Sequence, residues 1–330
     1  MAIINNKFRN KNIDNTGFGN NSINEGRRLI NADGSANLKK RGIPIWERIS
    51  IYHTLLRMKR TYFFLSIFLF YTCINLFFAI IYFSIGVENL MGVDKGQSYF
   101  DKFMEAFFFS SQTLTTVGYG RVSPMCMLTN TFASLESLLG ITVFAVMTGL
   151  IYGRFSRPRA YLKFSNNLIV APYREGKALM FRIATYKNNH LTDVEAQVTV
   201  ALHIKENEKK VTKFFQLNLE MSKINSLSLS WTIVHPLNEE SPLINYTKED
   251  IKDSEIEVIV NVKGFDDHFS NIVQQRTSYT YSQVVYGAKF KPMYERATDG
   301  STTILELNKI NDFELVKMPV NMDSSELVIE

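Results

Sequence analysis

The chain has 330 residues, enough for about two domains, of which 45% are hydrophobic and 13% aromatic. Its net charge of +5 is unevenly distributed: residues 1–60 carry 12 Lys and Arg against 4 Asp and Glu, whereas residues 160–330 carry 19 against 23. This segregation argues against a basic protein that binds nucleic acid, and the two cysteines, Cys73 and Cys126, exclude a disulfide framework or a cysteine zinc site.

The first 40 residues are rich in Asn, Gly and Ser and contain few large apolar side chains. Such a composition cannot offset the entropy lost on folding, so we expect a disordered tail over residues 1–40. The start of the chain, MAIINNKFRN, lacks the apolar core of a secretory signal. Insertion into a membrane would then depend on internal apolar segments.

Residues 41–60 contain a segment, IPIWERISIYHTLLRMKR, in which apolar residues recur at helical spacing. One helical face carries Ile45, Trp46, Ile49, Tyr52, Leu55 and Leu56. This pattern predicts an interfacial helix that lies on a membrane surface. The alternative is an amphipathic core helix of ordinary kind.

Two long apolar stretches follow within residues 61–155. Residues 61–87 contain no charged side chain, and residues 122–153 contain only Glu136. Each exceeds the roughly 20 residues that a membrane-spanning helix needs. Lys and Arg cluster before the first stretch, in residues 39–60, and after the second stretch, in residues 154–163. Because basic flanking residues favour the cytoplasmic side, this distribution predicts a plasma (inner) membrane protein with both termini in the cytoplasm.

A third apolar stretch, residues 106–120, lies between these spans. Its 15 uncharged residues would form a helix of about 22 Å, too short to cross roughly 30 Å of hydrocarbon. A re-entrant loop over residues 101–124 is the remaining geometry, and its non-helical part must be buried or line a water-filled cavity.

This loop contains the string TTVGYG, residues 115–120. Gly118 and Gly120 tolerate positive φ, so the backbone can turn successive carbonyl oxygens to one side. Four such strands around an axis would replace the hydration shell of K⁺, which predicts a homotetramer. The predicted selectivity filter is Thr115, Thr116, Val117, Gly118, Tyr119 and Gly120, with K⁺ coordinated by the carbonyls of residues 116–119 and the Thr116 hydroxyl. A strand and turn of a soluble sheet is the alternative.

Two further groups of residues are predicted to support and gate this pore. A pore helix over residues 102–113 would place Gln112 to hydrogen-bond the filter backbone, and Glu136 would hydrogen-bond near Gln112 or Thr113. The cavity-lining face of the second span is predicted to carry Gly140, Phe144, Thr148 and Tyr152, which recur every four residues. Gly140 would be a bending point and the two aromatic residues would narrow the inner mouth, unless they only pack between helices.

Residues 156–330 have a different pattern, in which runs of alternating apolar residues are separated by turn-forming residues. The runs are ALMFRIATY (178–186), VEAQVTVALHI (194–204), SLSLSWTIV (226–234) and EIEVIVNV (255–262). This pattern predicts a β-sandwich. No strand is followed by the G-x-G-x-x-G string of a nucleotide-binding fold.

Several strings together resemble the prokaryotic inward-rectifier potassium channels: AFFFSSQTLTTVGYG, GLIYGRFSRPRAYLKFS, SLSLSWTIVHPLNEESP and SYTYSQVVYGAKF. The resemblance covers about residues 43–309. It implies a membrane α plus β protein, with two transmembrane helices, a re-entrant pore helix and filter, and a cytoplasmic immunoglobulin-like β-sandwich that extends the pore.

The resemblance also implies roles for individual residues. Tyr152 falls at the helix-crossing constriction, and Phe265 and His268 of KGFDDHFS fall in a loop that narrows the cytoplasmic pore. In strongly rectifying members of the family, an acidic residue occupies the position of Phe144. Of two further acidic positions in the cytoplasmic pore, this chain keeps one as Glu195 and has Lys263 at the other. We therefore expect weak rectification.

The basic residues beside the spans are predicted to bind anionic lipid headgroups. They are Arg48, Arg57, Lys59, Arg60, Arg154, Arg157 and Arg159. The sequence thus predicts a potassium-selective, lipid-modulated channel without a cofactor or an enzymatic activity, with K⁺ as the permeant ion. The alternative is a less selective or ligand-gated cation channel of the same two-span plan.

Overall fold

A computed structural model describes residues 28–44, 47, 50–93, 98–206, 209–298 and 300–318, and excludes the side chains of residues 204–210. The chain divides into two compact units. One is Lys40–Arg157, and the other joins Pro158–Glu330 to the residues that precede Lys40.

The first unit is helical. The longer helices of its described residues are α1 (Ile51–Arg57), α2 (Arg60–Ile85), α3 (Tyr99–Leu114) and α4 (Met127–Phe155). A short antiparallel pair, β1 (Leu90–Met91) and β2 (Ser123–Pro124), joins the two segments between α2 and α4. Helices α2 and α4 are long and apolar enough to cross a membrane.

The helix ends follow ordinary capping chemistry. The α2 helix stops at Gly86, whose φ of 105° few other residues adopt. Ser98 caps the N-terminus of helix α3, and its hydroxyl accepts a hydrogen bond from the Asp101 amide at 3.2 Å. Helix α4 begins at Cys126, whose sulfur accepts from the Thr129 amide while the Thr129 hydroxyl accepts from the Cys126 amide. The interfacial helix predicted over residues 41–60 is described as a helix over Ile51–Arg57.

Over its described residues, the second unit is a β structure with one short α-helix, α5 (Lys248–Asp253). Its first strands are β3 (Leu162–Phe164), β4 (Leu168–Tyr173), β5 (Gly176–Thr185), β6 (Leu191–Glu206), β7 (Lys209–Leu217), β8 (Lys223–Leu227) and β9 (Ser230–Pro236). The later strands are β10 (Glu257–Asp266), β11 (Asn271–Thr280), β12 (Val284–Tyr286), β13 (Ala288–Phe290), β14 (Tyr294–Arg296), β15 (Thr303–Leu305) and β16 (Phe313–Leu315).

Two five-stranded sheets form the body of this unit. One has the order β11-β10-β6-β7 with β8 also paired to β6, and the other has the order β12-β4-β5-β3 with β9 paired to β5. Alternate residues of both sheets contribute to one buried core, which includes Val198 and Val260 from the first sheet and Phe181 and Ile233 from the second. Two sheets packed over a shared apolar core are the predicted β-sandwich.

One of the alternating runs contributes to two strands. The run SLSLSWTIV, residues 226–234, is divided between β8 and β9, which belong to different sheets. Strand β8 pairs with β6, whereas β9 pairs with β5. Alternating hydrophobicity cannot reveal this break, because a chain that crosses between two sheets keeps an inward-facing residue on each side of the crossing.

The predicted tail over residues 1–40 is partly outside the described residues, and the prediction of disorder is wrong for residues 28–37. Both oxygens of the buried Glu257 carboxylate accept backbone amides, from Leu29 at 2.7 Å and from Ile30 at 3.1 Å. Arg28 donates to the Ser278 carbonyl at 2.5 Å, and the Ile30 side chain is buried. Contacts with residues more than 200 positions away in the sequence order this segment. Local composition contains no information about such distant contacts.

Candidate ion-conducting site

The residues after α3 form a non-helical segment, called the filter strand below, in which the backbone conformation alternates. Thr116, Gly118 and Gly120 have φ values of 59°, 55° and 81°, whereas Val117 and Tyr119 do not have positive φ. Positive φ at the two glycines is what the sequence predicts. Positive φ at Thr116 was not predicted, because a β-branched residue rarely adopts it. The available signal was position: Thr115 caps α3, and the next residue after a helix is commonly left-handed.

Gln112 holds this strand against the end of α3. Its carbonyl oxygen accepts from the amides of Val117 at 2.9 Å and Gly118 at 3.3 Å. Its side-chain Oε1 accepts from the Tyr119 amide at 3.2 Å, the kind of contact that the sequence suggested. One residue of the pore helix therefore satisfies three successive amides of the strand, which leaves their carbonyl oxygens available to other ligands.

The C-terminal end of the strand is followed by an ion pair that the sequence does not predict. The Arg121 guanidinium contacts the Glu105 carboxylate of α3, and the two side chains are 62% and 17% exposed. Sixteen residues separate the partners, so no local pattern relates them.

The strand is strongly exposed in a single chain. Val117 is 54% and Tyr119 83% exposed, and both line a cavity of about 440 Å³ together with Phe108 and Gln112. Exposed apolar side chains that adjoin one another, as these do around one cavity, commonly mark a surface that another chain or lipid covers.

Glu136 is buried, but its predicted partners are wrong. The carboxylate accepts from the Ser110 hydroxyl of α3 at 2.5 Å and from the Tyr82 hydroxyl of α2 at 2.7 Å. Gln112 instead faces the filter strand, and the Thr113 hydroxyl donates to the Phe109 carbonyl within its own helix at 2.8 Å. The sequence offers no signal for this pairing, because the same span also contains Tyr71 and Asn75, and nothing in it distinguishes Tyr82 from them.

Gly140, the predicted bending point, lies in close contact with the pore helix. Helix α4 is continuous from Met127 to Phe155, and Gly140 is buried within it. A Cβ atom added at Gly140 would collide with the Leu114 carbonyl oxygen at the end of α3. The residue therefore lets the second span approach the pore helix closely.

The other predicted cavity residues of α4 are exposed in a single chain. Phe144 is 74% and Tyr152 73% exposed, and Thr148 is exposed with its hydroxyl donating to the Phe144 carbonyl at 2.8 Å. Only Thr129, Glu136 and Gly140 are buried in this fully described helix. Its remaining surface has the composition of a face that contacts lipid or another chain.

Arg154 differs from the other predicted lipid ligands, because its side chain is engaged within the protein. The guanidinium donates to the carbonyls of Leu55 at 3.2 Å and Met58 at 2.6 Å, and it lies 4.8 Å from the centre of the buried Phe63 ring. It thus joins the end of α4 to the end of α1 and the start of α2. Among the other predicted lipid ligands, Arg157 is half-buried and Arg48 lies outside the described residues. The exposed ones are Arg57, Lys59, Arg60 and Arg159.

In the β unit, Glu195 and Lys263 lie opposite each other on β6 and β10. Their charged groups form an ion pair at 2.8 Å, and the hydrogen bond from Lys263 lowers the pKa of the Glu195 carboxyl. A second ion pair, Lys223 with Asp193 at 3.0 Å, lies on the neighbouring β8 and β6 strands. The predicted pore acid is therefore matched by a cation within its own chain.

Phe265 and His268 lie at the β10–β11 turn. Both are exposed, and Ile272, opposite Phe265 on β11, is 68% exposed. The buried Asp266 carboxylate holds the turn by accepting from the amides of His268 at 3.0 Å and Phe269 at 3.1 Å. The turn is thus shaped by Asp266, while the two predicted residues point apolar and titratable groups into solvent.

Comparison with known proteins agrees with this arrangement. A family profile described as the inward rectifier potassium channel C-terminal domain matches residues 162–327, and one described as ion transport protein matches residues 41–162. The chain is 31% identical to the inward rectifier potassium channel Kirbac3.1 of Paramagnetospirillum magnetotacticum, over 86% of this chain and 95% of the relative.

More distant relatives are vertebrate channels. Identity is 28% to the ATP-sensitive inward rectifier potassium channel 12 of Gallus gallus, over 58% of this chain and 47% of the relative. Identity is 30% to the G protein-activated inward rectifier potassium channel 4 of Mus musculus, over 63% of this chain and 49% of the relative. The chain thus spans about half the length of these two relatives. It belongs to the inward rectifier potassium channel family, as an integral membrane protein with two candidate spans and a C-terminal β domain.

Proposed function

We propose that this protein is a potassium-selective channel that conducts K⁺ passively through a homotetrameric pore. The single observation that carries the proposal is the strand after α3, with positive φ at Thr116, Gly118 and Gly120 and its amides held by Gln112. Carbonyl oxygens arranged in this way substitute for the hydration shell of the ion. Family membership supports the same activity.

Uptake of ⁸⁶Rb⁺ into proteoliposomes tests this function. We expect uptake that K⁺ competes with, that Na⁺ does not, and that Ba²⁺ blocks. Equal competition by Na⁺ would favour the less selective cation channel, and uptake only after addition of a ligand would favour a ligand-gated one. Gly118→Ala, which places a side chain at a residue with positive φ, is the matched inactive control.

The tetramer is proposed because one chain leaves its filter strand and most of α4 uncovered. Val117, Tyr119 and Phe144 are each more than half exposed. Fourfold symmetry would place four such strands around one axis and cover these side chains. Native mass spectrometry of the detergent-purified protein should give four times the mass of the chain, and a monomer in lipid bilayers would contradict the proposal.

Gating is proposed to occur at the inner end of α4 and at the β10–β11 turn. Tyr152 and Phe265 are exposed aromatic side chains at these two places, suited to form apolar rings in a tetramer. Replacing Tyr152 by Ala should increase Rb⁺ uptake if the ring is the narrow point. His268→Ala tests the turn as a pH sensor, by comparing uptake at acidic and neutral pH.

Anionic lipid is proposed to bind at Arg57, Lys59, Arg60, Arg157 and Arg159, with the chain oriented so that both termini face the cytoplasm of a plasma (inner) membrane. Each basic side chain near an anionic surface gains about 1 kcal/mol. Flux in liposomes with and without phosphatidylglycerol would measure the effect and its sign. Protease protection of an N-terminal tag in sealed inverted vesicles would test the orientation.

A further inference from the structure

The buried carboxylate of Glu136 joins all three long helices of the first unit. Its Oε1 accepts from the Ser110 hydroxyl on α3 at 2.5 Å, and its Oε2 accepts from the Tyr82 hydroxyl on α2 at 2.7 Å. All three side chains are completely buried. Both partners that the structure describes for this carboxylate are hydroxyl groups, which donate without adding a countercharge.

The network continues to Asn75 on α2. The Ser110 hydroxyl lies 3.2 Å from Asn75 Oδ1, and Asn75 Nδ2 donates to the Tyr71 carbonyl at 2.8 Å. A serine hydroxyl has one proton to donate, so Glu136 and Asn75 compete for it. Glu136 is the stronger acceptor of the two, since a carboxylate oxygen accepts more strongly than an amide oxygen.

This network acts on the same helix that holds the filter strand. Ser110 precedes Gln112 by two residues, and Gln112 accepts the amides of Val117, Gly118 and Tyr119. Hydrogen bonds of this kind weaken once the donor and acceptor move a few tenths of an ångström beyond about 3.2 Å. Displacement of α3 along its axis would therefore disturb all three filter contacts together.

Aromatic packing also connects α2 with α3 beside this hydrogen-bond network. The Tyr82 ring lies 4.9 Å from the Phe109 ring in an edge-to-face arrangement, and Phe109 precedes Ser110 directly. Tyr82 thus contacts α3 through its ring and α4 through its hydroxyl. A change of Tyr82 to Phe removes the second contact and keeps the first.

We propose that Glu136, Tyr82 and Ser110 form a positioning unit that fixes the depth of the pore helix and thereby sets the ion selectivity of the filter. None of the three touches the filter strand, so they act through Gln112. This inference rests on the potassium conduction proposed above.

The experiment measures the ratio of Na⁺ to Rb⁺ uptake, with the affinity of Ba²⁺ block as a second readout, in proteoliposomes of variants that remain tetrameric. We expect Tyr82→Phe and Ser110→Ala each to raise the ratio by roughly tenfold, the effect of one hydrogen bond to a charged group. The double variant should resemble the stronger single variant, because both hydroxyls act through one carboxylate.

Substitutions of Glu136 separate its hydrogen bonds from its charge. In Glu136→Gln the amide oxygen can accept from Ser110 and the amide nitrogen can donate to the Tyr82 oxygen, so the ratio should stay within about threefold of the wild type. Glu136→Leu removes both contacts and should match the double variant. If Glu136→Leu fails to assemble, Tyr82→Phe still decides the question, because its ring packing is intact.

The matched control is Tyr71→Phe. The Tyr71 hydroxyl bonds to Ser111 at 2.7 Å and so joins the same two helices, α2 and α3, without reaching Glu136. This variant should keep the wild-type ratio. Wild-type selectivity in tetrameric Tyr82→Phe and Ser110→Ala, or an equal effect of Tyr71→Phe, would overturn the positioning unit. Absence of Rb⁺ uptake by the wild type would instead overturn the proposed function itself.

Discussion

Lys263 and Glu195 form an ion pair across the β6–β10 strands, with 2.8 Å between the Lys263 Nζ and a Glu195 carboxylate oxygen. Both side chains are partly exposed, so the pair contributes little to stability, typically below about 1 kcal/mol. Its effect is on the electrostatic potential of the surface, because the Lys263 cation offsets the charge of Glu195, the acid that the sequence predicts to attract a blocking cation.

The first prediction concerns rectification. The wild-type channel should show weak block by internal Mg²⁺ or spermine, whereas Lys263→Glu should show steep block, because it replaces the ion pair by two neighbouring carboxylates. Current–voltage relations of the reconstituted channel measure this difference. Lys263→Gln, which removes the cation without adding an anion, should be intermediate, and steep block of the wild type would contradict the prediction.

The second prediction concerns close packing at Gly140. Gly140→Ala should reduce Rb⁺ uptake and destabilise the tetramer by about 1–3 kcal/mol, because the added methyl group meets the Leu114 carbonyl oxygen. Gly149→Ala is the matched control in the same helix, since its added Cβ meets no atom within 4 Å of the described chain. Alanine is the better helix former by about 1 kcal/mol, so this control should be neutral or stabilising. Equal thermal stability of the two variants would show that the close approach is unimportant.

The third prediction separates Arg154 from the lipid-binding residues. Arg154→Gln should lower the thermal stability of the tetramer, because it loses the contacts with the Met58 carbonyl and the Phe63 ring, together about 2 kcal/mol. Its flux should keep the same dependence on phosphatidylglycerol as that of the wild type.

Lys59 and Arg60 provide the contrast, as exposed residues next to Arg154's contacts. The double change of these two residues to Gln should flatten the lipid dependence and leave thermal stability nearly unchanged. A lipid response abolished by Arg154→Gln alone would return this residue to the lipid-binding set.

The fourth prediction concerns acid stability. His235 is buried, with Nδ1 2.6 Å from the Asn218 carbonyl and Nε2 2.8 Å from the Ser241 hydroxyl, and burial lowers its pKa below the ordinary 6.5. The unfolded chain therefore binds more protons just below pH 6.5. The stability that neutral His235 provides is complete above this pH and is lost as the pH falls further.

Thermal unfolding of the full protein from about pH 8 to about pH 5 measures this loss. His235→Asn should have a lower melting temperature at neutral pH and a shallower dependence on acid. His268→Asn, at an exposed loop residue, should follow the wild-type curve. A wild-type slope unchanged in His235→Asn would show that other groups cause the acid sensitivity.

Sequence reasoning succeeded where the determining physics is local. The absence of charge over 61–87 and the spacing of Gly118 and Gly120 need no knowledge of distant residues. Sequence reasoning failed where a side chain's partner depends on which helix faces pack against each other. Glu136 was assigned to Gln112 or Thr113, whereas its partners lie 26 and 54 residues away on faces that only the packed helices bring together.

The sequence by itself determined the two apolar spans, the short apolar stretch between them, the positive φ of Gly118 and Gly120 and the β-rich second unit, because chain length, charge and glycine placement constrain these directly. Only the tertiary structure decided that Gly140 contacts Leu114, that Arg154 is engaged with α1, and that residues 28–37 are ordered. The reason is that a side chain's partner depends on the relative position of whole elements, and that position follows from packing over the entire chain.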